Sequence, residues 1–209
     1  MTQLEASSNY QLPCPSCPTA SGLAKPAVGS GHLRLEDFQS ILEKNPSLTE
    51  IELSNYGEIF LNPRFADMLR FAFERKVVTH ADNGANLNFV SEEALEALVK
   101  YPLRSITCSI DGASPETYEK YRVRGNFDKV IANIRRINEY KRQYKSGFAM
   151  LNWQFIIFGH NEHEIGAVRN WRTNSEWPSC SAFPGMTSFP HPQARTAEDR
   201  NTLSLYQPG

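Results

Sequence analysis

The strongest constraint on this chain is an alternation. Apolar, β-rich runs and segments of helical period follow one another about every 25–30 residues, a spacing that suits βαβ units and a parallel sheet. Gln3–Ser7 is a short opening run, and Glu50–Leu53, Val77–Ala81, Arg104–Ser109 and Asn152–Phe158 read as strands after it. The last is apolar nearly throughout, as expected when both faces of a strand are covered. Leu35, Phe38, Ile41 and Leu42 share one face of a helix over Leu35–Lys44. A second helix follows the cap residue Asn62 and runs to about Arg75; a third follows the cap Ser91, with Leu95, Leu98 and Val99 as its stripe. Ser114–Pro115 starts a short helix, and a long one runs from about Phe127 to Tyr144.

Right-handed crossovers curl such units into an α/β fold, here a partial (β/α) barrel of about five to six units, incomplete at the C-terminus. Ligands of such sheets gather at the C-terminal ends of the strands. That points to the 9–18 loop, Gly57–Ile59, Asp82–Gly84, Ser109–Gly112 and Gly159–Glu162. After Ile165 the apolar period fades into Ser-, Thr- and Asn-rich sequence with scattered Trp and Pro, and no helix or strand of useful length is evident. The expected organisation is a barrel-like domain over 1–165 and a poorly ordered or foreign tail over 166–209.

A formal net charge of -1 leaves no basic excess to neutralise phosphates, so no nucleic-acid partner is indicated. No apolar run approaches the ~20 residues of a membrane helix. The N-terminus lacks a basic region followed by an apolar core, and a cytoplasmic location is expected by default. Four cysteines without an export signal argue against a disulfide framework.

Cys14 and Cys17 form a CxxC pair in a loop. Two thiolates at that spacing can share one metal. The residues alone leave four readings open. The pair can belong to an iron–sulfur site, or to a zinc site completed by dispersed ligands such as His32, His80, Cys108 and Cys180. It can be a redox dithiol, although Pro18 and a long loop follow where a helix normally starts. Or it can be two thiols of no consequence. Elsewhere, Cys108 on its strand reads as a packed core thiol. His160 and His163 beside Glu162 and Glu164 read as exposed loop residues, and Arg135, Arg136, Lys141, Arg142 and Lys145 as a solvated helix face. Taken singly, Glu58 is a loop carboxylate, Gly57 a turn glycine and Asp111–Gly112 an ordinary turn.

The ordered set says more. The stretch LEASSNYQLPCPSCPTA resembles the opening of the radical S-adenosylmethionine (SAM) family, in which a first strand leads into CxxxCxxC. Asn55–Tyr56–Gly57–Glu58–Ile59, followed by Leu61–Asn62–Pro63, is similar to that family's GEP segment. Asn83–Gly84 looks like its NG turn. Ser109–Ile110–Asp111–Gly112, followed by SPETYEKYRVRGNFDKVIANI, resembles the branch that often carries a SPASM extension. Gln154–Gly159 with Asn161–Glu162 looks like its fifth strand and exit, so the resemblance covers about residues 3–165.

The resemblance implies a 4Fe-4S cluster held by three cysteines and SAM chelated to its open iron. Reductive cleavage of SAM then gives a 5'-deoxyadenosyl radical that abstracts hydrogen from a substrate. It assigns Cys14 and Cys17 as cluster ligands and Gly57 and Glu58 to the SAM amino group. Ser109 and Asp111 fall to the ribose hydroxyls, and Asn152 and Asn161 to the nucleoside or carboxylate. It implies an electron donor such as a flavodoxin or ferredoxin, and a small-molecule or peptide substrate that the sequence does not identify.

The chain departs from the pattern at Tyr10, which stands where the first cluster cysteine belongs. A phenol is a hard donor with a pKa near ~10, whereas iron–sulfur clusters select soft thiolates. Ile59 stands where proline is common, and Cys180 alone cannot hold an auxiliary cluster. Two explanations fit: a degenerate member, or a damaged deduced sequence, since Cys-to-Tyr is a single-base change and a frameshift or truncation leaves a break like that after Ile165. The alternatives to a radical SAM enzyme are a non-catalytic nucleoside- or peptide-binding remnant of the same fold and a small zinc-binding α/β domain.

Overall fold

A computed structural model describes residues 1–172 and 182–184. In chain order the elements are β1 (Thr2–Gln3), α1 (Lys25–Val28), α2 (Leu35–Lys44), β2 (Glu50–Glu52), α3 (Phe65–Glu74), β3 (Val78–Ala85), α4 (Glu92–Lys100), β4 (Leu103–Ser109), α5 (Pro115–Tyr121), α6 (Phe127–Tyr144), β5 (Met150–Phe155), α7 (Ile165–Arg172) and β6 (Ala182–Pro184). The strands form one sheet in the order β1-β2-β3-β4-β5-β6, and every adjacent pair is parallel. This is the open α/β sheet expected from the alternation, with helices in the crossovers.

Each helix buries the stripe its sequence offers. Phe65, Met68, Leu69 and Ala72 of α3 are buried at helical spacing, as are Leu95, Leu98 and Val99 of α4 and Val130, Ile134 and Ile137 of α6. The Ser91 hydroxyl accepts from Ala94 N and caps α4. Asn62 acts differently from a simple cap. Its Oδ1 accepts from Arg64 N, while its Nδ2 donates to Ala6 O and Leu33 O, and α3 begins only at Phe65. A main core of these faces and the strands fills the interior. A smaller cluster of Leu12, Cys14, Tyr121 and Phe158 sits around the cysteine loop.

Two expectations change. Asn83–Gly84 is not a turn after the third strand, because β3 runs on to Ala85. Its register with β4 jumps between Ala81↔Ile106 and Ala85↔Cys108, so the intervening residues bulge out of the ladder. Gly84 takes φ 107° there, and a Cβ would lie 2.7 Å from Ser109 Oγ. Most of the tail over 166–209 lies outside the described residues, but α7 and β6 fall within it, and β6 pairs with β5. Among the described residues no helix is long and apolar enough to cross a membrane.

Candidate functional site

The C-terminal ends of the strands surround a cavity of about 380 Å³. Cys14, Cys17, Gly57, Glu58 and Ser109 line it together, although they come from three separate chain segments. Gly57 is there because nothing larger fits. A Cβ on it would lie 2.0 Å from Ser7 O, where the root of the cysteine loop crosses. The crossing is tied down by Glu5, whose Oε1 accepts from Tyr56 N at 2.7 Å and Gly57 N at 2.6 Å, and by Glu58 N donating to Asn9 O.

Glu58 is 3% exposed. Its Oε2 accepts from Asn86 N at 2.8 Å and its Oε1 from Phe60 N at 3.4 Å. Burial nevertheless pushes its pKa up to about 8, against the pull of those amides. Also on the lining, Ser109 Oγ donates to Gln154 Oε1 at 3.2 Å, and the β3 bulge contributes Asn83 and Gly84.

The remaining assigned residues lie elsewhere. Asp111 is fully buried and off the lining. Its Oδ2 accepts from Arg122 Nε and Nη2, both at 2.7 Å, and its Oδ1 from Ile156 N at 2.8 Å. Asn161, also fully buried, accepts from Phe158 N and donates to Asp111 O and Ile156 O, clipping the exit of β5 to the end of β4. Asn152 stands opposite Thr107 on β5 and does not line the cavity. Gln154, two residues further along the same strand face, does.

Sequence reasoning gave no role to Arg122 or Gln154. Both lie inside stretches it quoted, but helix-end arginines and strand glutamines look like surface residues until neighbours arrive. The signal for Gln154 was the two-residue alternation, which puts it on the face of Asn152 and nearer the strand end.

Tyr10 also lines the cavity. Its hydroxyl lies 3.5 Å from Cys14 Sγ and accepts from Arg122 Nη1 at 3.3 Å, and the same Nη1 lies 3.9 Å from Cys14 Sγ. Burial raises the phenol's pKa well above its ordinary value despite Arg122, and burial pushes the Cys14 thiol up as well. The phenol therefore stays protonated. As a donor set for a 4Fe-4S cluster, Cys14 and Cys17 fit and Tyr10 does not: a neutral buried phenol replaces a thiolate. The zinc reading lacks partners too. His32 contacts Ser7 and Asn9, His80 contacts Ser105 and Asp82, and Cys108 is buried on β4, while Cys180 lies outside the described residues. Among the described residues no three His, Cys, Asp or Glu side chains gather to hold a metal ion.

Solved structures share this fold. SuiB from Streptococcus suis matches with a TM-score of 0.67 at 14% identity, covering 96% of this chain and 44% of that one. SuiB bound to its precursor peptide SuiA matches at 0.63 and 14%, covering 87% and 38%. A structure described as native anSMEcpe with bound AdoMet and Cp18Cys peptide matches at 0.62 and 16%, covering 88% and 50%. The chain thus spans half or less of each relative's length. No curated protein matches it in sequence. The Radical SAM superfamily profile matches residues 11–171, most of the chain, and this protein belongs to that family.

Proposed function

We propose that this chain binds SAM in the strand-end cavity and works on, or holds, a peptide, with reductive chemistry limited by Tyr10. The carrying observation is that Glu58, Gly57 and Ser109 share one cavity with Cys14 and Cys17. Glu58 would take the SAM ammonium: an arriving cation stabilises the carboxylate that burial disfavours. Gly57 lets the cysteine loop lie close enough to close that end, and Ser109 with Gln154 offers hydroxyl and amide groups suited to a ribose. Asp111 and Asn161 would act beneath, holding Arg122 and the β4 and β5 ends in place. A bound 4Fe-4S cluster would supply the electron that splits SAM into methionine and a 5'-deoxyadenosyl radical. Cys14 and Cys17 would supply thiolates to it, Tyr10 supplies none, and an external donor such as a flavodoxin or ferredoxin would be needed. The peptide part follows the bound peptides of SuiB and anSMEcpe.

Isothermal titration calorimetry and anaerobic reconstitution with iron and sulfide test both parts. SAM should bind the protein as it stands, and Glu58→Ala should weaken binding roughly tenfold, the loss of one charge-assisted contact. Reconstituted protein should hold well under the ~4 irons of a full cluster, and Tyr10→Cys should approach that number. Absence of SAM binding overturns the first part. A full iron complement with Tyr10 in place overturns the second.

A further inference from the structure

The SAM cavity uses one arginine of the Arg122–Val123–Arg124 stretch and leaves the other. Arg122 lines the strand-end cavity, whereas Arg124 lines a second cavity, of about 390 Å³, on the other side of the cysteine loop. Tyr10 and Thr19 line both and form the partition between them. Arg124 sits at φ 65°, a left-handed conformation uncommon for a residue with a side chain. At the adjacent Gly125 a Cβ would come 2.7 Å from Arg122 O, so this tight turn fixes where the Arg124 side chain starts. A non-glycine residue held in such a conformation prompts the question of function.

Lys25, the first residue of α1, lines the same cavity. The salt bridges of the described residues involve neither Lys25 nor Arg124, and no Asp or Glu lines the cavity. Two cations around one concave surface without an internal counter-ion set up a positive potential there.

We propose that this second cavity binds an acidic peptide segment, whose Asp or Glu carboxylates meet Lys25 and Arg124. Inorganic phosphate supplies matching charge but would fill only a fraction of about 390 Å³. The inference rests on the peptide reading of the proposed function and gives that peptide an anchor beside the SAM cavity. Tyr10 then separates the two ligands.

Fluorescence anisotropy on the full chain tests it. The probe is a dye-labelled Gly-Ser peptide carrying two Glu, compared with the same labelled peptide carrying Gln at those positions. The Glu peptide should bind more tightly, and Lys25→Gln and Arg124→Gln should each reduce that preference about fivefold, the upper range for one partly exposed ion pair. Neither variant should change SAM affinity, which reports that the fold is kept. Equal binding of the two peptides, an unchanged preference in both variants, or displacement of the Glu peptide by an equal concentration of inorganic phosphate overturns the proposal. SAM binding without a Glu preference overturns this inference alone; a Glu preference without SAM binding overturns the SAM reading alone.

Discussion

At the scale of single residues, Glu58 carries the sharpest consequence. Its pKa of about 8 in the folded protein lies above the ~4.3 of an exposed glutamate. Between those values the folded state holds a proton that the unfolded chain has released, so stability falls as pH rises through the window. An ammonium bound beside Glu58, as proposed for SAM, would reverse the preference and drive that proton off. SAM titrated at pH 7 should therefore release up to about one proton per chain. The measurement is calorimetry in buffers of different ionisation enthalpy, and Glu58→Gln should remove the release. Tyr10 shows the limit of reading residues singly. Its identity was plain in the sequence, and so was the thiolate it displaces. That its phenol is neutral, shared with Arg122 and in contact with Cys14 was not, because Arg122 lies 112 positions away.

Among the elements, the ends of β4 and β5 and the end of α5 are joined through one buried carboxylate. Asp111 takes two donors from Arg122 and one from Ile156, and neither member of the ion pair is more than 9% exposed. Removing one partner of such a pair leaves the other charge buried and uncompensated, at a cost of about 3–5 kcal/mol. Asp111→Ala should lower the unfolding free energy by that amount in equilibrium urea denaturation, whereas replacing Asp111 and Arg122 together by apolar residues should recover most of it. The elements themselves were largely legible: helical stripes and cap residues gave α2, α4 and α6 nearly to the residue. Less legible was β3. Asn83–Gly84 has turn chemistry, and pairing with β4 before it at Ala81 and after it at Ala85 keeps the chain in the sheet as a bulge. α1 and α7 were missed because runs of four and eight residues are too short to show a clear helical period.

For the whole molecule, ligand binding and folding are linked, because the strand-end cavity exists only when the ends of β2, β3, β4 and β5 and the cysteine loop are assembled. A ligand that binds only the folded state at a free concentration of 100 times its Kd adds about 2.7 kcal/mol, or roughly 5–10 °C in Tm for a chain of this size. Calorimetric melts should show that rise with SAM, and Glu58→Ala, with its roughly tenfold weaker binding, should lose about half of it at the same SAM concentration. The sequence by itself determined the parallel α/β sheet, the stripes that cover it and the cysteine pair at its mouth. These follow from local periodicity and spacing, which neighbouring residues carry in full. Only the tertiary structure decided which polar residues face the cavity and which hold it up. It set Asp111 and Asn161 beneath the floor, brought Gln154 to the wall, gave Arg122 to Tyr10 and sent Arg124 to a second cavity. The physical reason is that burial, charge pairing and hydrogen-bond partnership depend on groups brought close by folding, and those groups lie scores of residues apart along the chain.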